Sequence, residues 1–308
     1  MTIHPEIAKI LATIPAPDGS PLNPEAMRAG EAAHVPPLEE RLPLHSVDEL
    51  TAATPSGDVP VRIYTPVDAD TYGLLVYFHG GAFFLGSLDT HDHVARALAS
   101  ETGFTVISVG YRLAPEAVFP AGLDDCYGVV RWAAEQAGLD WDGKNLALAG
   151  DSSGGTFVAA VAAKAHDDGF DRITHQILFY PSLDLDFDVD RYPSMRENAK
   201  GYGLETAGLA PFNAFYFDSG ADPSDPLVSP LKREDLTGLP PALVITAEHD
   251  PLRDEGELYG RRLTEAGVNA TVSRYAGANH GFVQNFSWIP EYYQAFTETG
   301  EFLRNSAR

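Results

Sequence analysis

Leu146-Ala147-Leu148-Ala149-Gly150-Asp151-Ser152-Ser153-Gly154-Gly155 is the stretch that decides the fold. Four apolar residues run without a break, and a serine then stands between two glycines. The next residues, Thr156–Asp167, carry helical spacing. Strand, tight turn and helix in that order is the setting of a G-x-S-x-G nucleophile elbow. Gly150 and Gly154 fit a turn so tight that a Cβ would strike the neighbouring strand and helix. Such a turn holds the Ser152 hydroxyl out at the strand's carboxyl end, with the positive end of the helix dipole aimed at it.

Working outward, the same alternation recurs. From about residue 46 the pattern reads strand, loop, strand, with Val61–Tyr64 alternating as a half-buried strand does. Leu74–Phe78 is a continuous apolar run, the mark of a strand buried on both faces. Phe104–Val109, Leu146–Ala149, Ile177–Tyr180, Ala242–Ala247 and Ala270–Tyr275 read as further strands. Helical stretches lie between them at Asp92–Thr102, Leu123–Ala137, Thr156–Asp167 and Glu255–Ala266. Strands alternating with helices of this length predict an α/β fold, with a mostly parallel sheet covered on both sides.

Two regions break the alternation. Ile7–Ile14 predicts a short helix ended by Pro15 and Pro17. Asn23-Pro24 opens a second helix, with Asn23 as cap and Pro24 at a position whose N–H would be unpaired anyway. Pro36 and Pro37 end it. The other region, Asp184 to Asp222, is rich in Asp, Pro, Gly and aromatic residues and reads as an insertion with its own helix.

Composition narrows the function. The chain has 308 residues, 44% of them hydrophobic, enough for a full core. With 44 acidic and 21 basic residues the formal charge is −23, so phosphate backbones and anionic membrane surfaces are excluded as partners. Cys126 is the single cysteine, so no intrachain disulfide or multi-cysteine metal site is available, and it reads as a small buried hydrophobe. Met1-Thr2-Ile3-His4-Pro5-Glu6 has no basic leader, and no apolar run approaches a membrane span. The expected location is the cytoplasm.

A second chemical signal is His79-Gly80-Gly81-Ala82, directly after the strand Leu74–Phe78. Acylation of a serine creates an oxyanion that needs preorganised N–H donors. The expected donors are the amides of Gly80, Gly81 and Ser153, while His79 reads as structural. The serine also needs a base, and the base an orienting carboxylate, in the order Ser, acid, His. Of His166, His175, His249 and His280, the last lies in a loop after the strand Ala270–Tyr275 and can reach the elbow. Asp250 ends the strand Ala242–Ala247, whereas Asp254 and Glu255 fall in a helix's first turn. Ser152, Asp250 and His280 are therefore the expected triad. His91-Asp92-His93 reads as surface or capping residues, and the acidic run Asp184–Asp190 as a solvated loop without calcium spacing, so no metal and no cofactor are expected.

These motifs resemble the hormone-sensitive-lipase-like (family IV) branch of bacterial carboxylesterases. The likeness is carried by His79-Gly80-Gly81, Tyr111-Arg112-Leu113-Ala114-Pro115-Glu116, Phe119-Pro120-Ala121, Gly150–Gly155, Asp250–Gly256 and His280-Gly281-Phe282. The resemblance implies an α/β-hydrolase fold: a mostly parallel eight-stranded sheet with helices on both faces and a small helical cap. It divides the chain into N-terminal cap helices (1–45), a first core part (46–183), a cap insertion (184–222) and a second core part (223–308). It implies hydrolysis of short- to medium-chain esters through an acyl-serine, with Phe83, Phe84, Phe212, Phe215 and Tyr216 as candidates to line the pocket or pack the core. It also implies that Arg112 and Glu116 form a buried ion pair or backbone hydrogen bonds near the site, and a homodimer through the last strand and its neighbouring helix. Two positions depart from the family pattern: Ala82 replaces a third glycine, and Ser153 replaces an alanine. The same triad also serves amidases, lactonases and deacetylases, and related receptors bind small molecules without the base. His280 argues against that last class.

Overall fold

The structure, a computed structural model, describes residues 2–14, 20–67, 73–136, 139, 141 and 143–306. Two helices, α1 (Pro5–Leu11) and α2 (Pro24–Ala32), precede the strands β1 (Ser46–Thr54), β2 (Gly57–Thr65) and β3 (Gly73–Phe78). Then come α3 (Asp92–Thr102), β4 (Thr105–Val109), α4 (Ala121–Glu135), β5 (Asn145–Asp151), α5 (Ser153–Asp167) and β6 (Ile173–Phe179). The insertion holds α6 (Ser194–Glu197) and α7 (Thr206–Phe217). The chain finishes with β7 (Ala242–His249), α8 (Arg253–Glu265), β8 (Ala270–Asn279), α9 (Phe282–Asn285) and α10 (Pro290–Ser306).

The eight strands form one sheet in the order β1-β2-β4-β3-β5-β6-β7-β8. β1 and β2 run antiparallel to their neighbours, and β4 through β8 are parallel. The unbroken apolar run in β3 has a direct cause. Leu74, Val76 and Phe78 face one core with Val129 and Val130 of α4 and Phe157 of α5, while Leu75 and Tyr77 face the other with Leu98 of α3 and Phe296 of α10. A strand covered on both sides has no position for a polar residue. Each such side chain contributes about 1.5–3 kcal/mol by leaving water.

Helix ends follow their local chemistry. The Asn23 side chain accepts from the Ala26 amide at 3.0 Å, with Pro24 at the first helical position. α1 stops at Leu11, short of the expected Ile14; Pro15 and Pro17, and Ala137 at the expected end of α4, lie outside the described residues. β8 runs on to Asn279, so His280 follows the strand at once rather than sitting in a free loop. The extension is held by the Glu248 carboxylate, which accepts from the Gly277 amide at 2.8 Å. Among the described residues no helix is long and apolar enough to cross a membrane. Cys126 is fully buried and free.

Candidate active site

Strand order places the site. After β3 the chain crosses to β4 on one side, then returns to place β5 on the other. Connections leaving in opposite directions open a crevice at the carboxyl ends of the two strands. Phe78 and Gly150 are paired across that junction, so His79-Gly80-Gly81 and Asp151-Ser152-Ser153 emerge side by side.

Ser152 sits at φ 54°, ψ −120°, a conformation that side chains of ordinary residues avoid. It costs about 1–3 kcal/mol and persists because the surroundings fix it. The Ser152 amide donates to the Phe179 carbonyl at 2.9 Å, and its own carbonyl accepts from the Gly155 amide at 2.9 Å. A Cβ on Gly154 would fall on the backbone oxygens of Phe78 and His79, which is why only glycine fits there.

The structure brings Ser152, Asp250 and His280 together. His280 Nε2 lies 2.9 Å from Ser152 Oγ, and His280 Nδ1 lies 2.8 Å from Asp250 Oδ2. A carboxylate can only accept, so Nδ1 carries the proton and Nε2 is left to accept from the serine hydroxyl. Asp250 is wholly buried at the end of β7; its other oxygen accepts from the Leu252 amide at 2.8 Å. The Asn198 side chain, from the insertion, donates to the Asp250 carbonyl at 3.0 Å. The ring of Tyr180 meets that of His280 edge-on, with centroids 4.9 Å apart. His166 and His175, on α5 and β6, have no part in this arrangement, and His249 stacks on Tyr202 instead. Asp254 accepts from the Ser194 amide, and buried Glu255 from the Leu183 amide.

The oxyanion loop corrects one expectation. The Gly80 amide is not free: it donates to Asp151 Oδ1 at 2.9 Å. That oxygen also accepts from the Tyr77 hydroxyl at 2.6 Å. Among the described residues the amides of Gly81, Ala82 and Ser153 have no hydrogen-bond acceptor, and these three residues line the hollows around Ser152. Ala82 and Phe83 both adopt positive φ, 49° and 67°, which turns the loop into this shape. The Ser153 hydroxyl accepts from the Phe83 amide at 3.3 Å and so ties the elbow to the loop.

Behind the loop lies a buried polar layer. His79 Nδ1 is 2.8 Å from the Gly80 carbonyl, and its ring stacks on Tyr111 at 4.3 Å. His91 is buried beside it, with Nε2 3.8 Å from Asp151 Oδ2. Burial pushes both imidazoles down to about 3, so they stay neutral and make no ion pair with Asp151. Burial raises the Asp151 carboxyl, against the hydrogen bond from Tyr77. His91 is thus no surface residue: the chain behind Gly86 folds it under the elbow. Asp92 is buried too, between Arg41, Arg62 and Arg96. His93 contacts the Gln284 carbonyl at 2.7 Å. Asp184, expected in a solvated loop, is also buried, paired with Arg191 and Lys232.

Arg112 and Glu116 do not pair with each other. Arg112 forks onto Asp125 at 2.8 Å. Glu116 is exposed and takes both terminal nitrogens of Arg28 at 2.9 Å. Arg28 is a residue that sequence reasoning missed. From α2 it also donates to the carbonyls of Phe84 and Ala114, each at 2.7 Å. One turn further, Glu31 accepts from the Gly86 amide at 3.0 Å. The helix α2 therefore grips the carboxyl-terminal side of the loop at Phe84 and Gly86. No motif marks these positions.

Of the five aromatic candidates, only Phe212 lines the site. Phe83 stacks on Tyr216 at 3.8 Å, and both are buried in the core. Phe84 is buried beneath Phe212 and Phe215. The main pocket at Ser152 has a volume of about 510 Å³, and its apolar wall comes from Ile10, Leu11 and Ile14 near α1, Met27 of α2, Leu204 and Phe212. A smaller hollow of about 50 Å³ adjoins Ser152 on the side of Ser182, Leu209, Asn213 and Leu252.

Comparison with known proteins agrees with this geometry. A family model described as the alpha/beta hydrolase fold matches residues 75–284. The chain is 41% identical over 295 residues to carboxylesterase NlhH of Mycobacterium tuberculosis, covering 93% of this chain and 90% of that one. It is 36% identical over 307 residues to ethyl acetate hydrolase of Pseudomonas putida, covering 94% and 95%. Among solved structures, a hyperthermophilic esterase from the archaeon Pyrobaculum calidifontis superposes with a TM-score of 0.89 at 36% identity, covering 100% of this chain and 99% of that one.

Proposed function

We propose a serine mechanism from the premise that this chain belongs to the hormone-sensitive-lipase-like branch of the α/β-hydrolase family and is a carboxylesterase. Ser152 Oγ attacks the ester carbonyl as His280 Nε2 takes its proton. The imidazolium returns that proton to the departing alcohol. Asp250 fixes the tautomer and stabilises the cation. The developing oxyanion is held by the amides of Gly81, Ala82 and Ser153, not by that of Gly80. Water then attacks the acyl-serine through the same base. The unbroken line from Asp250 through His280 to a strained Ser152 is the observation that carries this reading.

The small hollow beside Ser152 suits a short acyl group, and the larger apolar pocket the alcohol. Helices α1 and α2 and the insertion 184–222 act as a cap: they supply Leu11, Met27, Leu204 and Phe212 to the pocket walls. The test is initial rates on p-nitrophenyl esters from acetyl to palmitoyl, with Ser152→Ala alongside. Highest kcat/KM at acetyl to butyryl, lost by several orders of magnitude in the variant, is expected. Equal rates in Ser152→Ala would overturn the assignment of the nucleophile. An optimum at palmitoyl would overturn the assignment of the small hollow to the acyl group.

A further inference from the structure

The pocket at Ser152 does not end at α2. Met27 lines it, and Gly30 and Glu31, at i+3 and i+4 on the same face of α2, continue with His34 just past the helix into a second cavity of about 780 Å³. The opposite wall behaves alike. Gln284 and Asn285 belong to both cavities, and Ser287 and Trp288 carry the wall onward. From Met27 to Glu31 is four residues of helical rise, or about 6 Å, and His34 lies just past the helix end at Ala32. At the far end stands Trp288, 59% exposed, and among the described residues its indole contacts no other ring. A large aromatic face left open to water in a concave site is a ready stacking surface. Around it the cavity offers hydrogen-bonding groups from Glu31, His34, Thr90, Gln284 and Asn285. The Glu31 carboxyl is pushed up by burial, which moderates the negative charge that it would present there.

We propose that this groove is an outer subsite for the leaving alcohol, which takes a ring with one apolar face and hydrogen-bonding edges, beyond the pocket that holds the ester. The proposal rests on the assignment of Ser152 and His280 above. His280 delivers the proton to the leaving alcohol, and Gln284 and Asn285 follow it within the next turn of chain, so the groove departs from the alcohol side. A phenolic ring and a pyranose share this chemistry. The favoured substrates are therefore extended esters, with an apolar stem against Met27, Leu11 and Ile14 and a polar ring against Trp288.

Three acetates with the same stem test it: octyl acetate, 8-(4-hydroxyphenoxy)octyl acetate and 8-acetoxyoctyl β-glucoside. At least one ring-bearing acetate is expected to exceed octyl acetate about tenfold in kcat/KM, through KM, a gain of about 1.4 kcal/mol. In Trp288→Ala the ratio of ring-bearing to plain ester falls to about one. A gain with the phenol alone assigns an aryl ligand, and a gain with the glucoside alone assigns a sugar. Equal rates on all three esters in the wild type, or a ratio that survives Trp288→Ala, would overturn the subsite. A second readout needs no turnover. In Ser152→Ala protein, the two ring-bearing alcohols should quench tryptophan emission saturably, and the quenching should vanish when Trp288→Ala is added. No saturable quenching by either alcohol overturns the subsite even if no ester is cut, whereas turnover failure alone counts against the serine mechanism.

Discussion

Replacing Arg28 by Met would remove four hydrogen bonds, and they are not equal. Two go to Glu116, whose side chain is 64% exposed. Exposed ion pairs of this kind are worth about 0.2–1 kcal/mol and weaken with salt. The other two go to the Phe84 and Ala114 carbonyls at 2.7 Å, on the more sheltered side of the guanidinium. A charged donor to a carbonyl is worth about 1.5–3 kcal/mol when buried, and partial access to water brings each nearer 1 kcal/mol. Arg28→Met should therefore cost about 2–3 kcal/mol, and Glu116→Gln about 0.5 kcal/mol. For a chain this long the first lowers Tm by about 3–5 °C and the second by about 1 °C. Function should divide the same way. Phe84 is two residues from Ala82, so freeing its carbonyl loosens the proposed oxyanion donors. A fall of about tenfold in kcat is expected for Arg28→Met, a fraction of the cost of losing a donor outright. Thermal unfolding and kcat on p-nitrophenyl acetate, each at 0.05 and 1 M NaCl, provide the assay. If Glu116→Gln costs as much as Arg28→Met, or if the Arg28→Met deficit disappears in high salt, then the ion pair and not the carbonyl grip carries the contact.

Three further outcomes can be checked directly. Asp151→Ala should lower kcat about 100-fold, because it leaves the Tyr77 hydroxyl and the Gly80 amide unpaired, while Asp151→Asn, which keeps an acceptor oxygen, should recover most of it; equal losses would show that Asp151 acts otherwise. His91 is held near 3 against an ordinary 6.5, so protonation favours the unfolded chain, and stability present above pH 6.5 is lost as pH falls toward 3. His91→Gln should make the slope of unfolding free energy between pH 6.5 and 4 shallower by about 1.4 kcal/mol per pH unit in urea titrations, and an unchanged slope would refute the assignment. Among the described residues β8 pairs with β7 alone and forms the sheet's edge, so a homodimer through it is the expected mass in light scattering, and a monomer mass would rule that out.

Much of this was legible in the residues because the physics was local. Leu74–Phe78 reads as buried on both sides because neither face tolerates a polar residue, and both core layers claim it. The elbow is legible because its turn demands glycine where Gly154 lies against the Phe78 carbonyl. The proposed oxyanion donors were not legible. Two adjacent glycines announce a bent backbone, but which N–H points at substrate depends on Asp151, 71 residues away, claiming Gly80. The aromatic residues fail for a related reason. Phe83 and Phe212 look alike in sequence, and only the stacking of Phe83 on Tyr216 separates a core ring from a pocket ring. Arg28 left no signal at all, since its partners are two carbonyls that any residues could supply.

The hydrogen bond between Ser152 and His280 spans 128 residues. The insertion between β6 and β7 falls in that span. A chain cut inside it would leave Ser152 and the loop after β3 on one piece, and Asp250 and His280 on the other. Under the proposed mechanism neither piece alone turns over an ester. Hydrolysis would begin only when β6 and β7 zipped together across the cut, so the enzyme is already laid out as a two-part reporter whose signal is the joining of its own halves.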